Sequence, residues 1–503
     1  MKDQKNISTG SFAIKPEHLA SQGAKVLDFL VDYFNNMAEQ PVRPNLEPGY
    51  LAAQFAAEPP QNPQEMNAIL QEIQDKVMPG VTHWQHPQFF AYYPATTSIP
   101  AMLSELIISA IGSVGLQWSA NPIATELECV VMDWIMGMLH GKTDSRFMHR
   151  SGKGGGLIQN TAGEALIVVM TAARTRKQLE LKGINDINDL STEQYEAIYY
   201  EDSSHFVIYM SDQTHFSGPK AARVTGMRVR QIPSILLENG NYGITADQVS
   251  AAMAADRAQG LTPTCVQLNW GSTNTCGYDD LASFIGFEEQ EKVWVHTDAA
   301  YAGASLILPE FRQRSEVLQQ ISTSFNFNGS KWFLCGFDSA FLFVRDRRFF
   351  KDVFAASGDY MASSQDEQIY NPEFKDWAVP LGRRFRSLRI WMVLQYFGTK
   401  GLHAFLQESM NQADWLRQQI DQSDDFKQVV NTDLGLVCIS HVNPEKNKMF
   451  IESLQKNRDE NQAFLFYPSV IKGKPFIRIA IGGANTTFAD VEKIWDTCQK
   501  AAV

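Results

Sequence analysis

The chain has 503 residues, 44% of them hydrophobic and 20% charged, long enough for two or three domains with substantial cores. Its formal net charge of −12 and the absence of any Lys/Arg stripe argue against nucleic acid as a partner. Six cysteines lie scattered with no CxxC spacing, and the opening "MKDQKNISTGSFAIKPEH" has no apolar h-region. Reduced thiols, a cytoplasmic location and no secretory signal are therefore expected. No membrane span is expected either, because the candidate "ALIVVMTAARTRK" meets arginine and lysine after a few apolar residues.

In chain order, "AKVLDFLVDYFNNM" repeats apolar residues at helical spacing (Val26, Leu30, Phe34, Met37), and "PVRPNLEPG" breaks it. A second amphipathic helix follows in "NPQEMNAILQEIQDKVMPG", with Met66, Leu70, Ile73 and Val77 on one stripe. Two such helices make little core alone, so residues 1–98 are expected to form a helical segment that packs on a partner subunit. From 99 to 387, "HFVIYMSD", "PTCVQLNWGS", "KVWVHTD" and "SAFLFVRD" read as short strands ending in polar residues. Helical stretches such as "GEALIVVMTAARTRKQLELKG" and "LASFIGFEEQEK" fall between them, which predicts an α/β domain with a mostly parallel sheet. Residues 355–376 lack periodicity and read as a lid loop. A long helix and an α+β tail complete a small C-terminal domain over 388–503.

Ligands in parallel sheets bind beyond the carboxyl ends of the strands. At one such end, Asp298 closes "KVWVHTD", either as a helix cap or as a functional acid. Lys331, 33 residues later, is the one charged group between Val317 and Phe337. A buried ammonium is unfavourable unless it is paired, neutralised or used. Lysine and carboxylate at neighbouring strand ends suggest pyridoxal 5'-phosphate, which needs a Schiff-base lysine and an acid to keep its ring nitrogen protonated. "GKGGGLIQNTAGEA" supplies a glycine run, a strand and a helix N-terminus able to take the phosphate. It is neither a P-loop nor a dinucleotide fingerprint. His215, in "SDQTHFS", follows another strand end, where a flat imidazole could lie on a cofactor ring. The pair His83 and His86 has no carboxylate at ligand spacing, so no metal is expected. No GxSxG elbow supports a serine hydrolase.

The ordered segments "HPQFFAYYP", "NPIATELECVVMDW", "GGGLIQNTAGEA", "SDQTHFS", "HTDAAYAG", "NGSKW" and "PLGRRFRSL" resemble the group II pyridoxal-phosphate amino-acid decarboxylases, most closely the aromatic-L-amino-acid decarboxylase branch. The resemblance runs from about Phe12 to the end. It implies the aspartate-aminotransferase-like fold (fold type I), an intertwined homodimer, and decarboxylation of aromatic L-amino acids to arylalkylamines. By the same resemblance Lys331 is the Schiff-base lysine, Asp298 the partner of the pyridine nitrogen, Ala300 the small residue under the ring and His215 the stacked imidazole. Thr161, Ala162, Gly163 and Asn328 match phosphate-binding positions, and Thr273 and Asp279 supporting polar ones. Arg478 matches the arginine for the substrate carboxylate. Trp84, Tyr92, Tyr93, Ala95, Leu116 and Gly382 match the side-chain pocket, and Tyr360 the lid tyrosine that returns a proton to Cα. Phenylalanine at the lid position, or asparagine at the imidazole position, goes with aldehyde formation in related enzymes. This chain has the decarboxylating residue at both.

Gly382 leaves room for a catechol or an indole where serine marks histidine or small phenolic substrates. Ala95, where many relatives carry threonine, tilts the pocket towards tryptophan or phenylalanine, against the polar pull of Tyr93. The chain departs from the family pattern at Ser330 (usually histidine), at Gly163 (commonly serine) and in "QLNWGST" (usually threonine-rich), where a bulky Trp270 is expected to reshape the site. The alternatives are an aromatic aldehyde synthase, a histidine decarboxylase and a weakened homologue acting as a binding protein.

Overall fold

The computed structural model describes residues 12–355, 369–461, 464 and 466–501. Its central sheet contains β1 (Gly155–Gln159), β2 (Phe206–Ser211) and β3 (Arg228–Ile232), followed after a two-stranded hairpin (β4, Ile235–Leu236; β5, Tyr242–Gly243) by β6 (Thr262–Asn269), β7 (Trp294–Asp298), β8 (Ser324–Asn328) and β9 (Ala340–Val344). The spatial order is β1-β9-β8-β7-β6-β2-β3. Pairing is parallel from β8 across to β3, and β9 alone runs antiparallel to both its neighbours. The expected parallel α/β sheet of a fold type I enzyme is thus present. Parallel strands need crossovers, and β2, β7 and β8 are buried on both faces as such crossovers require, while the edge strand β3 is largely exposed.

Two apolar layers sandwich the sheet. On one side the helix Ala162–Leu181 brings Leu166, Val169 and Ala173 against Cys265, Trp294 and Leu342. On the other, the helix Pro122–His140 brings Met132, Ile135 and Met136 against Phe325 and Phe327. The stretch 281–291, predicted as one helix, is a 3-10 turn (Leu281–Phe284) and a short helix (Phe287–Glu291), split by Gly286 at φ 79°. The long helix Arg386–Asp421 leaves helical geometry at Gly398, where φ is 58°. Its second half, with the helices Pro444–Asn461 and Phe488–Ala501, covers an antiparallel sheet of β10 (Phe426–Gln428), β11 (Leu436–His441), β12 (Tyr467–Ile471) and β13 (Lys474–Ala480), ordered β10-β11-β13-β12.

The helix Pro16–Asn35 starts with proline at its first position and buries none of its residues. Leu19, Leu27, Val31 and Phe34 of its apolar stripe are exposed, and the helix Met66–Glu72 likewise buries nothing. Among the described residues no helix is long and apolar enough to cross a membrane.

Candidate active site

The sheet register gathers the predicted residues at one edge. Gln159 and Asn328 both pair with Ala340, while Asn269 pairs with Asp298 and Asp298 with Asn326. The carboxyl ends of β1, β8, β7 and β6 therefore lie side by side. The chain leaving β1 reaches Thr161, that leaving β8 reaches Lys331, and that leaving β2 reaches His215.

Lys331 sits on a one-turn helix (Gly329–Trp332) whose other residues are buried. Its Nζ lies 5.4 Å from the centre of the Tyr93 ring, and the Arg478 guanidinium carbon lies 5.3 Å from the same ring. Tyr93 is fixed from behind: it stacks on Tyr301 at 3.8 Å, Tyr301 stacks on Trp332 at 5.1 Å, and the Tyr93 hydroxyl donates to the Ser272 carbonyl at 3.1 Å. Burial pushes the Lys331 amine below the usual lysine range; Asp298 pulls it up and Arg478 pushes it further down. The lysine is thus biased towards its nucleophilic free base.

Asp298, 7% exposed, is ringed by donors. The Ala300 N–H reaches Oδ1 at 3.0 Å, the Asn326 amide reaches Oδ1 at 3.4 Å and the Gln267 amide reaches Oδ2 at 3.4 Å. An acceptor-only carboxylate is what such a set holds. His215 takes the Ser217 backbone N–H on Nδ1 at 3.2 Å, with Ser217 Oγ at 2.8 Å from the same atom. The neutral ring then carries its proton on Nε2. Its pKa is lowered by burial first and by Lys331 next, with Asp298 opposing. Asp279, buried, accepts from the N–H groups of Ile244 (3.0 Å) and Asn269 (2.6 Å), and burial raises its pKa to about 7. It also holds the Asn269 amide, which reaches Thr214 next to His215 at 3.1 Å. Asp279 therefore supports the site through Asn269.

The helix after β1 opens on a capped first turn able to take an anion. Thr161 caps the helix Ala162–Leu181, its Oγ1 accepting the Glu164 N–H at 3.2 Å, while Glu164 returns a bond to the Asn160 N–H at 2.9 Å. The N–H groups of Ala162 and Gly163 remain in the first turn, where a helix has no internal acceptor for them. Asn328 carries a buried Oδ1 with no partner, an acceptor that a phosphate oxygen cannot use, so only its Nδ2 end could face a phosphate. A lysine amine, a carboxylate and a helix N-terminus fit pyridoxal phosphate at its carbonyl, ring nitrogen and phosphate.

Arg478, on β13, donates from Nε to the Asn274 carbonyl at 2.9 Å, and from Nη2 to the carbonyls of Thr273 (2.8 Å) and Tyr92 (3.2 Å). Thr273 thus enters through its backbone. Tyr92 adopts φ 54°, unusual for a bulky residue, and its ring stacks on Trp84 at 5.4 Å and meets Tyr467 at 4.9 Å. Ala95 gives its carbonyl to Gln85.

Two pocket positions lie elsewhere. The loop holding Leu116 bonds to the strand of chain beside Gly382, through Gly115 N–H and the Arg383 carbonyl at 2.8 Å. Neither Leu116 nor Gly382 makes a hydrogen bond or ring contact with the Lys331 cluster. Trp270 corrects an expectation: adjacent to Asn269 on an extended chain, it faces the opposite side. There it stacks on Tyr278 at 4.2 Å beneath the Arg314 guanidinium, in the core. Tyr360 lies outside the described residues. His83 bonds the Tyr33 hydroxyl at 2.9 Å.

Sequence reading missed Gln267, His296, Ser324 and Asn326. Their signal was alternation: "CVQLN", "WVHTD" and "SFNFN" put Gln267, Asn269, His296, Asp298, Ser324, Asn326 and Asn328 on one face of three adjacent strands.

Comparison with known proteins agrees with this geometry. The family model "Pyridoxal-dependent decarboxylase conserved domain" matches residues 48–442. The aromatic-L-amino-acid decarboxylase of Rattus norvegicus is 35% identical, over 94% of this chain and 95% of the relative. The phenylacetaldehyde synthase of Arabidopsis thaliana is 33% identical, over 97% and 96%. The solved structure of Oryza sativa TDC with PLP and tryptamine superposes with a TM-score of 0.88 at 30% identity, covering 98% of this chain and 99% of that one.

Proposed function

The chain belongs to the pyridoxal-dependent decarboxylases, and from that premise we propose that it converts aromatic L-amino acids to arylalkylamines and carbon dioxide. The observation that carries this reading is that Lys331, Asp298 and His215 follow strand ends at one edge of the central sheet, while β13 of the smaller sheet brings Arg478 over the same Tyr93 ring as Lys331. Bound there, pyridoxal phosphate supplies a protonated aromatic ring that accepts the electron pair released as the carboxylate leaves. Lys331 offers a largely desolvated amine to hold the cofactor carbonyl. With the cofactor bound, Asp298 would keep its ring nitrogen protonated, Ala300 would leave space for the ring, and the neutral His215 imidazole would lie against it. The N–H groups of Ala162 and Gly163, with Thr161 and Asn328, hold the phosphate. Arg478 binds the substrate carboxylate with Nη1, since its other nitrogens are committed to backbone carbonyls. Tyr360 returns the proton to Cα.

The aromatic side chain goes among Trp84, Tyr92, Tyr93 and Ala95. Gly382 leaves room for a catechol or an indole, and Ala95 favours tryptophan and phenylalanine within the aromatic class. Leu116 and Gly382 complete this pocket when two copies associate as a homodimer. The exposed stripe of Leu27, Val31 and Phe34 and the exposed Ile99, Leu103, Leu106 and Ile107 of the helix Ile99–Ile111 support that assembly.

Aldehyde synthesis is the second reading, because a relative of comparable identity is a phenylacetaldehyde synthase. A product panel decides between them: purified protein with cofactor, each aromatic amino acid and histidine, with amine and aldehyde read by mass spectrometry. Amine without peroxide from tryptophan or phenylalanine is expected. Aldehyde with equimolar peroxide would replace the decarboxylase reading, and amine from histidine alone would overturn the aromatic one.

A further inference from the structure

Asp298 is held from behind by a directional chain of hydrogen bonds on the polar face of β7 and β8. It starts at Trp294, whose indole N–H can only donate and reaches Ser324 Oγ at 2.8 Å. That hydroxyl sends its own proton to His296 Nδ1, also at 2.8 Å. With Nδ1 accepting, the neutral imidazole carries its proton on Nε2, 2.8 Å from Asn326 Oδ1. Asn326 is left with one orientation, its amide Nδ2 towards Asp298 Oδ1 at 3.4 Å. All five residues are at most 7% exposed. Burial pushes the His296 pKa down to about 4, so the ring stays neutral near neutral pH. At every link a donor meets an acceptor, and each donor points towards the carboxylate.

We propose that His296 is a positioning residue for the cofactor chemistry: its Nε2–H fixes which end of the Asn326 carboxamide faces Asp298, and so keeps that carboxylate an acceptor for the cofactor's ring nitrogen. The proposal rests on Asp298 as the partner of that nitrogen. Were the Asn326 amide free to turn, its oxygen would face a carboxylate oxygen. Asp298 would then be relieved by taking up a proton, and a protonated acid accepts the ring N–H poorly.

The test uses His296→Leu, which removes both ring nitrogens, and His296→Gln, which keeps a donor for Asn326 and an acceptor for Ser324. Two readouts are taken: the protonation of the ring nitrogen by nitrogen NMR of isotope-labelled pyridoxal phosphate bound to each variant, and the dissociation constant of the cofactor from the apoenzyme. The leucine variant is expected to lose ring-nitrogen protonation and to bind cofactor about tenfold more weakly, the order of one hydrogen bond to a charged group. The glutamine variant is expected to restore both. Asp298→Ala is the control. If it deprotonates the ring nitrogen while folded His296→Leu does not, the proposal is overturned and the Asp298 reading stands. If Asp298→Ala leaves the nitrogen protonated, the Asp298 reading itself fails. Should the leucine variant not fold, Ser324→Ala frees the imidazole tautomer with the ring in place, and unchanged protonation and affinity there overturn the proposal.

Discussion

Arg478→Lys separates binding of the substrate from the chemistry that follows. The guanidinium is 7% exposed and spends Nε and Nη2 on the carbonyls of Asn274, Thr273 and Tyr92, which leaves Nη1 for an incoming carboxylate. Lysine keeps the charge but loses the fork that serves both duties. Losing one charge-assisted hydrogen bond to the carboxylate costs about 1.5–3 kcal/mol, roughly a 10- to 150-fold rise in KM where KM reports binding. That carboxylate surrenders its charge as it becomes carbon dioxide, so the contact is no stronger in the transition state than in the ground state, and kcat should change far less than KM. The product amine has no carboxylate, and its inhibition constant should stay near the wild-type value. The assay is steady-state decarboxylation with amine inhibition, alongside a thermal melt, because three carbonyls lose part of their pairing. An inhibition constant for the amine that rises in parallel with KM would refute the assignment, showing that Arg478 shapes the pocket through Tyr92 and Thr273.

Gly163→Ser should be accommodated without a shift. A Cβ there meets Thr161 Oγ1 at 3.6 Å and Ser217 Cβ at 3.9 Å, both ordinary contacts. Its hydroxyl adds a donor beside the free N–H groups, so cofactor affinity measured by titration of the apoenzyme should rise several-fold, about 1 kcal/mol; weaker binding would mean the phosphate does not sit at this helix end. Sedimentation on serial dilution should show activity lost with the dimer, and a stable monomer of full activity would remove the claim that two copies complete the pocket.

What was legible in the sequence follows from how each feature is encoded. Short apolar runs closed by polar residues mark parallel strands, and the same closures place Asp298, Lys331 and His215 at one edge without any knowledge of side-chain geometry. The polar residues inside those runs were harder to read. Gln267, His296 and Asn326 look like interruptions of an apolar strand until neighbouring strands are set in register, when they form one face. Trp270 misled for the same reason: proximity in sequence to Asn269 means opposite orientation on an extended chain. Gly286 and Gly398 carry no periodic signal that a helix breaks there, and they do so by adopting positive φ. Leu116 and Gly382 were the least legible, because within one chain neither makes a hydrogen bond or ring contact with the Lys331 cluster.

Burial and charge together bias the Lys331 amine. Lys331 and Arg478 both lie over Tyr93, and two cations near one ring in a buried place disfavour each other. The Arg478 charge thus adds to the burial that pushes the Lys331 amine down. Asp298 works the other way, and the Gln267, Asn326 and Ala300 donors that fix it decide how far its charge is directed to the lysine or reserved for a ring nitrogen. Were a substrate carboxylate to pair with Arg478, as proposed, one cation would be compensated and its push on Lys331 would weaken. Compensating Arg478 would relieve only that smaller push, so the Lys331 amine would stay below the usual lysine range through burial, its first cause.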